Sequence, residues 1–185
     1  KAFRAAKSVA KPDGQSYFDF KPYAPSFGAP AAFISQPVFE NGKLSGVLVF
    51  QMPIGRINDV MQLTAGMGKT GETYIIGEDH FMRSDSRFSK ESTILKTKIS
   101  GKTADAVIAG NTGVEIVNDY RGIPVMSAFT PFEYLGTKYG VLAEIDMSEI
   151  LGPIHALRNF LLIIFGVIVV VVLGIGLFFS KSITT

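Results

Sequence analysis

The chain contains no cysteine and no tryptophan, and its only histidines are His80 and His155. The first absence removes disulfides, thiol nucleophiles and cysteine zinc sites together, while remaining compatible with any compartment. The histidines have no partners at the spacing of a metal centre or a nucleophile–histidine–acid triad. His80 reads as a turn residue, and His155 lies beside Arg158 at the edge of an apolar run. There is no Gly-Xaa-Ser-Xaa-Gly, phosphate-loop or paired-histidine motif, so no catalytic or cofactor signature is present. Charge of one sign is lacking too: 18 basic residues face 16 acidic ones. All of the acidic residues, and all of the basic ones except Arg158 and Lys181, lie ahead of the apolar run and its flank. The folded part is therefore near neutral, which argues against a nucleic-acid surface, since that needs clustered basic side chains.

What the chain does have is a run without charge or strong polar groups, FLLIIFGVIVVVVLGIGLFF, from Phe160 to Phe179. As a helix it is about 30 Å long, the thickness of the hydrocarbon core of a bilayer. A buried core helix would keep a polar stripe, and none exists here. The run is read as a transmembrane helix in contact with lipid. One basic residue stands on each side of it, so charge does not orient it. The chain opens at Lys1 without an initiator methionine, which is read as the mark of a fragment of something longer.

Residues 1–11 place Phe3, Ala6 and Val9 at near-helical spacing and predict a short helix. Pro12, Asp13 and Gly14 predict a turn. Residues 17–23 are aromatic and read as extended chain, broken into a loop by Pro22, Pro25, Gly28 and Pro30. Strands are expected at 31–39 and 44–52 around the hairpin turn Asn41-Gly42. Pro53 opens a helix with Ile54, Ile57, Val60, Met61 and Thr64 on one stripe. Further strands are expected at 72–77, 81–84, 113–120, 124–132 and 139–146, with a polar loop at 85–97 and a helix at 103–109. Helix resumes at Ser148, with an interruption at Gly152-Pro153.

Sliding the sequence by 94 positions superposes Gly28 and Pro30 on Gly122 and Pro124, Pro37 on Pro131, and Gly42 on Gly136. Gly46-Val47-Leu48 falls on Gly140-Val141-Leu142. Both copies run strand, turn, strand and then helix, so the chain reads as a duplicated module. The fold class is α+β: tandem antiparallel-sheet modules with flanking helices, followed by one transmembrane helix.

This pattern resembles the double Cache sensor of bacterial receptors, which is built of two PAS-like modules. The stretches that carry the likeness are PAAFISQP (30–37), Gly46-Val47-Leu48 and the helix after Pro53. In the second module they are TGETYII (70–76), MRSDSRF (82–88) and GVLAEI (140–145). The tail SKSITT (180–185) is similar to the opening of a HAMP linker. The resemblance implies residues 1–53 as the end of a truncated membrane-distal module, 54–68 as linker helix and loop, and 69–150 as the membrane-proximal module. Residues 151–159 are then juxtamembrane, 160–179 cross the bilayer, and 180–185 begin a cytoplasmic linker. It implies a sensor outside the cytoplasmic membrane of a bacterium, working as a homodimer, with a small organic ligand and a cytoplasmic output domain. The absence of cysteine fits such a periplasmic domain.

Amino-acid sensors of this family carry an aspartate on the strand after the Gly-Val signature. Gln51 stands there, and an amide cannot pair with an ammonium as a carboxylate does. Tyr17, Phe18, Tyr23, Phe33, Ser35 and Gln51 could line a pocket in the first module, or its aromatics could be core. Arg83, Asp85 and Arg87 alternate. In an extended chain they would share a side, either as an anion site or as an internal ion-pair cluster that fixes the loop. Tyr74, Tyr120, Ser127 and Asp146 are weaker candidates. The expected function is an extracytoplasmic small-molecule sensor of a signalling receptor. A membrane-anchored interaction module without a ligand is the other reading, and solid cores in both modules would favour it.

Overall fold

A computed structural model describes residues 14–184, so the helix expected at 1–11 lies outside the described residues. The chain divides into two units that meet in sequence at Asp146 and Met147. The first unit holds two antiparallel sheets. One takes β1 (Ser16–Pro22), β2 (Pro30–Glu40) and β3 (Lys43–Gln51) in that order. The short helix α1 (Ile54–Met61) follows. The other sheet is ordered β4-β7-β6-β5, from β4 (Glu72–Gly77), β5 (Gly113–Asn118), β6 (Pro124–Tyr134) and β7 (Thr137–Asp146). The helix α2 (Lys102–Ile108) precedes β5. This is the tandem α+β architecture the sequence pattern predicts.

The repeat is visible in backbone geometry. β2 and β6 begin at Pro30 and Pro124, 94 positions apart, and β3 and β7 begin at Lys43 and Thr137, also 94 apart. Two-residue turns join the strands with left-handed φ at Asn41 (50°) and Gly42 (75°), and again at Leu135 (47°) and Gly136 (80°). Such primed turns match the right-handed twist of the strands they connect. The first hairpin then departs from the second through a bulge at Val38/Phe39. β6 and β7 pair from Val125–Asp146 to Tyr134–Thr137 without a shift.

The second sheet packs one face against α2 and the strap that follows β4. Tyr74, Ile76, Phe129 and Leu142 meet Met82, Ile99, Ala104 and Val107 in a buried cluster. α2 comes close because Gly140 has no side chain: a Cβ there would overlap Val107. A smaller cluster joins Phe20 and Ala32 of the first sheet to Ile94 of the strap, with Met52, Ile54 and Ile57 packed on it. This explains the apolar stripe of α1, although the helix ends at Met61 and leaves Val60 exposed.

Two local expectations are corrected. Residues 81–84 form no strand; only the isolated bridges Ile76–Met82 and Phe81–Lys98 remain. The polar side chains there bond to the backbone instead, with Ser84 Oγ accepting from Ile75 N–H at 3.0 Å. The expected interruption at Gly152-Pro153 is also absent. The second unit is one helix, α3 (Met147–Thr184), with Pro153 inside it. Pro153 is the seventh residue of the helix, past the four N–H groups that a helix start leaves unbonded, so it forgoes the bond to the Glu149 carbonyl while the helix runs on through it. α3 is the one helix among the described residues long and apolar enough to cross a membrane.

Candidate functional site

Two groups of side chains in the first unit combine burial with polar chemistry. One joins the two sheets. Arg83, on the strap after β4, is 4% exposed and grips Asp19 of β1. Its Nε donates to Asp19 Oδ1 and Oδ2 at 3.1 and 3.0 Å, and its Nη2 to Oδ2 at 2.7 Å. Nη2 also reaches Asp79 Oδ2 at 2.9 Å, and Nη1 the Phe81 carbonyl at 2.8 Å. The guanidinium lies against Gly77, where a Cβ would collide with it. Tyr139 of β7 donates to Asp19 Oδ1 at 2.7 Å and stands 2.8 Å from the Tyr17 hydroxyl. Burial opposes the charge of Arg83, but the bonds to Asp19 and Asp79 outweigh it and raise the guanidinium above its ordinary pKa. Burial, reinforced by Tyr17 and Asp19, keeps the Tyr139 hydroxyl protonated.

Beside this network lies a cavity of about 190 Å³. Tyr17, Phe20 and Met52 line it from the first sheet's side, Ile57 from α1, and Ile75, Phe132, Tyr134 and Tyr139 from the second sheet, with Arg83 at its wall. Its rings pack edge-on, Tyr17 against Tyr134 at 5.2 Å, or stacked, Phe132 on Tyr139 at 5.2 Å.

The other group lies on the covered face of the second sheet. Strand register sets Glu72 of β4 opposite Glu144 of β7, Glu144 opposite Ser127 of β6, and Ser127 opposite Glu115 of β5. Tyr74 and Asp146 are two residues along their strands and share that face. Glu72 is satisfied: Ser86 Oγ donates to it at 2.7 Å and the Tyr120 hydroxyl at 2.6 Å. Asp119, whose side chain is wholly buried, accepts from Arg121, which spans to Asp146 at 2.9 Å. Glu144 Oε2, Ser127 Oγ and the Tyr74 hydroxyl are buried with no hydrogen-bond partner. The Ser127 and Tyr74 hydroxyls nevertheless act on the Glu144 carboxylate as hydrogen-bond donors do, lowering its pKa against the effect of burial. Burial raises the Glu144 pKa; Ser127 and Tyr74 oppose that, while Asp119 and Glu72 add to it. Burial and the neighbouring Glu144 push the Tyr74 hydroxyl up strongly.

The residues singled out in the sequence are distributed as follows. Phe33, Ser35 and Gln51 share one face of the first sheet with Phe18, since Phe18 pairs with Phe33 and Phe33 with Gln51. Tyr23 packs its ring on Phe33 at 4.9 Å. Tyr17, paired with Ile34, faces the other way, into the junction with Arg83. Arg83, Asp85 and Arg87 form neither an anion site nor an ion-pair cluster, because the strap is not extended and alternation does not hold. Asp85 binds Asn58 of α1 at 2.7 Å and Ser92 at 2.7 Å. Arg87 caps the carbonyls of Gly71 and Lys69. Tyr74, Tyr120 and Ser127 do converge, on the covered face of the second sheet, with Asp146 on the same face.

Sequence reasoning passed over Asp19, Tyr139, Asp119, Arg121, Glu72 and Glu144. The last two carried a usable signal: each is an acid in a strand rich in apolar residues, ETYIIG and VLAEID. Burial of an acid among such neighbours requires partners or a function.

A scan of protein-family models and a search of curated proteins find no match to this chain. Solved structures do match. The periplasmic sensory domain of the Campylobacter jejuni chemoreceptor Tlp1 superposes with a TM-score of 0.62 at 16% identity, covering 80% of this chain and 55% of that one. The ligand-binding domain of the Pseudomonas aeruginosa amino acid chemoreceptor PctC, solved with GABA, gives 0.53 at 20% identity, covering 78% and 60%. That of the Pseudomonas fluorescens chemoreceptor CtaA, with L-alanine, gives 0.51 at 12% identity, covering 78% and 59%. The chain thus spans 55 to 60% of the length of these solved domains. At these identities the likeness is one of fold: two antiparallel sheets in tandem, as in periplasmic sensory domains of chemoreceptors.

Proposed function

We propose that the chain is the extracytoplasmic small-molecule sensor of a bacterial transmembrane signalling receptor, with α3 as its membrane helix. The observation that carries this reading is the direct succession of the sensor-type tandem sheets and α3: β7 ends at Asp146 and a helix long and apolar enough to cross a bilayer begins at Met147. In this reading a ligand that prefers one arrangement of the sheets shifts the population of helix positions, and the output domain reads that shift. The amino acid and GABA ligands of the solved relatives support a small organic ligand as the chemical class.

A membrane-anchored interaction module would be expected to have solid cores. The cavity at the sheet junction favours the sensor. The test is a thermal-unfolding screen of the full chain in lipid nanodiscs against organic acids, amines and nucleobases. A ligand of the native state raises the midpoint in proportion to its concentration above Kd. A midpoint shift with one class supports the sensor, and no shift with any class overturns it.

A further inference from the structure

We propose that the cavity at the junction of the two sheets binds an uncharged, single-ring aromatic molecule, held among Tyr17, Phe20, Ile57, Phe132 and Tyr139. The inference rests on the sensor reading and gives it a site and a ligand class.

The first argument is volume. Protein interiors leave few voids larger than a water molecule. The junction leaves about 190 Å³. An apolar cavity of about 150 Å³ stays dry and takes one benzene, so this space suits a single ring with a small substituent. Access does not require unfolding. Phe132 and Tyr134, both on β6, are 39% and 38% exposed, while Phe20 and Tyr139 are 3% and 4% exposed, so the cavity is open on the β6 side and closed behind.

The second argument is the lining. Tyr17 stands edge-on to Tyr134 and to Tyr139, with ring centroids 5.2 and 6.4 Å apart, and Phe132 stacks on Tyr139. A guest ring can repeat both geometries, which add to the gain from area alone. Met52 adds a thioether, which favours contact with ring edges.

The third argument is charge. Arg83 is at the wall, yet all three of its guanidinium nitrogens are already bonded, to Asp19, Asp79 and the Phe81 carbonyl. Asp19 is equally occupied, accepting from Arg83, from the Tyr139 hydroxyl and from the Phe20 N–H at 2.7 Å. An anion would have to displace Asp19 from Arg83, and a cation would have to displace Arg83 from Asp19. Either leaves a buried charge short of a partner. Water needs several polar partners of its own, and the polar groups beside the cavity bond one another. A neutral ring disturbs none of these bonds. Because it touches both sheets at once, its binding favours the arrangement that holds them together.

The experiment is fluorine-19 NMR of 4-fluorophenol with the full chain in phosphatidylcholine nanodiscs, against empty nanodiscs to account for uptake by lipid. The protein should give a saturable change in the fluorine signal that empty nanodiscs do not. p-Cresol should reverse it, while benzoate and benzylammonium, which carry the same ring with a charge, should compete more weakly by at least about tenfold. Ile57→Phe, which fills the cavity, should abolish the change. Phe132→Ala, which removes the stacked ring, should weaken binding several-fold and keeps the test intact if Ile57→Phe fails to fold. Binding unchanged by both variants overturns the proposal, as does competition by benzoate or benzylammonium equal to that of p-cresol. Neutral phenols join the thermal-unfolding screen as a further class. If they neither bind nor raise the midpoint while acids, amines or nucleobases do, the aromatic site fails and the sensor stands. If no class raises it, both fail.

Discussion

Arg83 and Asp19, 64 positions apart, meet through three guanidinium hydrogen bonds, the shortest 2.7 Å, and so fasten the strap of the second sheet to β1 of the first. The arginine is almost wholly buried, so this bond has little solvent screening. Asp19→Asn should destabilise the first unit by about 1–3 kcal/mol in urea unfolding, since Arg83 keeps Asp79 but loses a charged acceptor. Combined with Arg83→Lys, the double-mutant cycle should give a coupling above about 1 kcal/mol, whereas additivity would mean the contact carries no energy.

Glu144 sets a pH dependence. Its native pKa is raised above the ordinary glutamate value of 4.5, first by burial. The native state therefore binds the proton more tightly than the unfolded chain. Its stabilising effect is complete below about pH 4.5 and is lost as pH rises through the native value. The urea midpoint should fall over that interval. Glu144→Gln, which cannot lose a proton, should flatten the fall. An unchanged slope in the variant would assign the titration to another group.

The two copies of the repeat should answer differently to the same change. A Cβ at Gly140 overlaps Val107, while one at Gly46 meets open space. Gly140→Ala should cost about 1–3 kcal/mol by overpacking against α2. Gly46→Ala should change stability by less than about 1 kcal/mol, because no packing opposes it. Equal effects would contradict the packing of α2.

The hairpin turn of the second sheet holds a leucine at φ 47°, where the first holds Asn41 at 50°. A left-handed leucine costs about 1–2 kcal/mol, and asparagine adopts that region more readily. Leu135→Asn should therefore raise stability by about 0.5–1 kcal/mol, read as a higher unfolding midpoint.

These residues show how far the sequence could be read. Hairpins, repeat and the long apolar helix were legible because each rests on local signals: paired turn residues, alternation, an unbroken apolar run. Residues 81–84 read as a strand, but side-chain bonds to backbone, such as Ser84 to Ile75, replace a ladder there and leave no periodic trace. The Tyr17–Arg83 junction was invisible because its members lie far apart in sequence, and β1 turns Tyr17 away from Phe33. The Glu72–Glu144 pairing follows from register alone, which neither strand encodes by itself.

The central claim, that the sheets face outside the membrane and the tail faces the cytoplasm, has a direct test in a chain with no cysteine of its own. Asn111→Cys places a thiol at an exposed position after α2, and Thr184→Cys places one at the end of α3. Each variant, in the full-length protein in intact bacteria, is treated with a membrane-impermeant maleimide. The account predicts labelling at position 111 in intact cells and at position 184 only after permeabilisation. Labelling at 184 in intact cells with protection at 111 would contradict it.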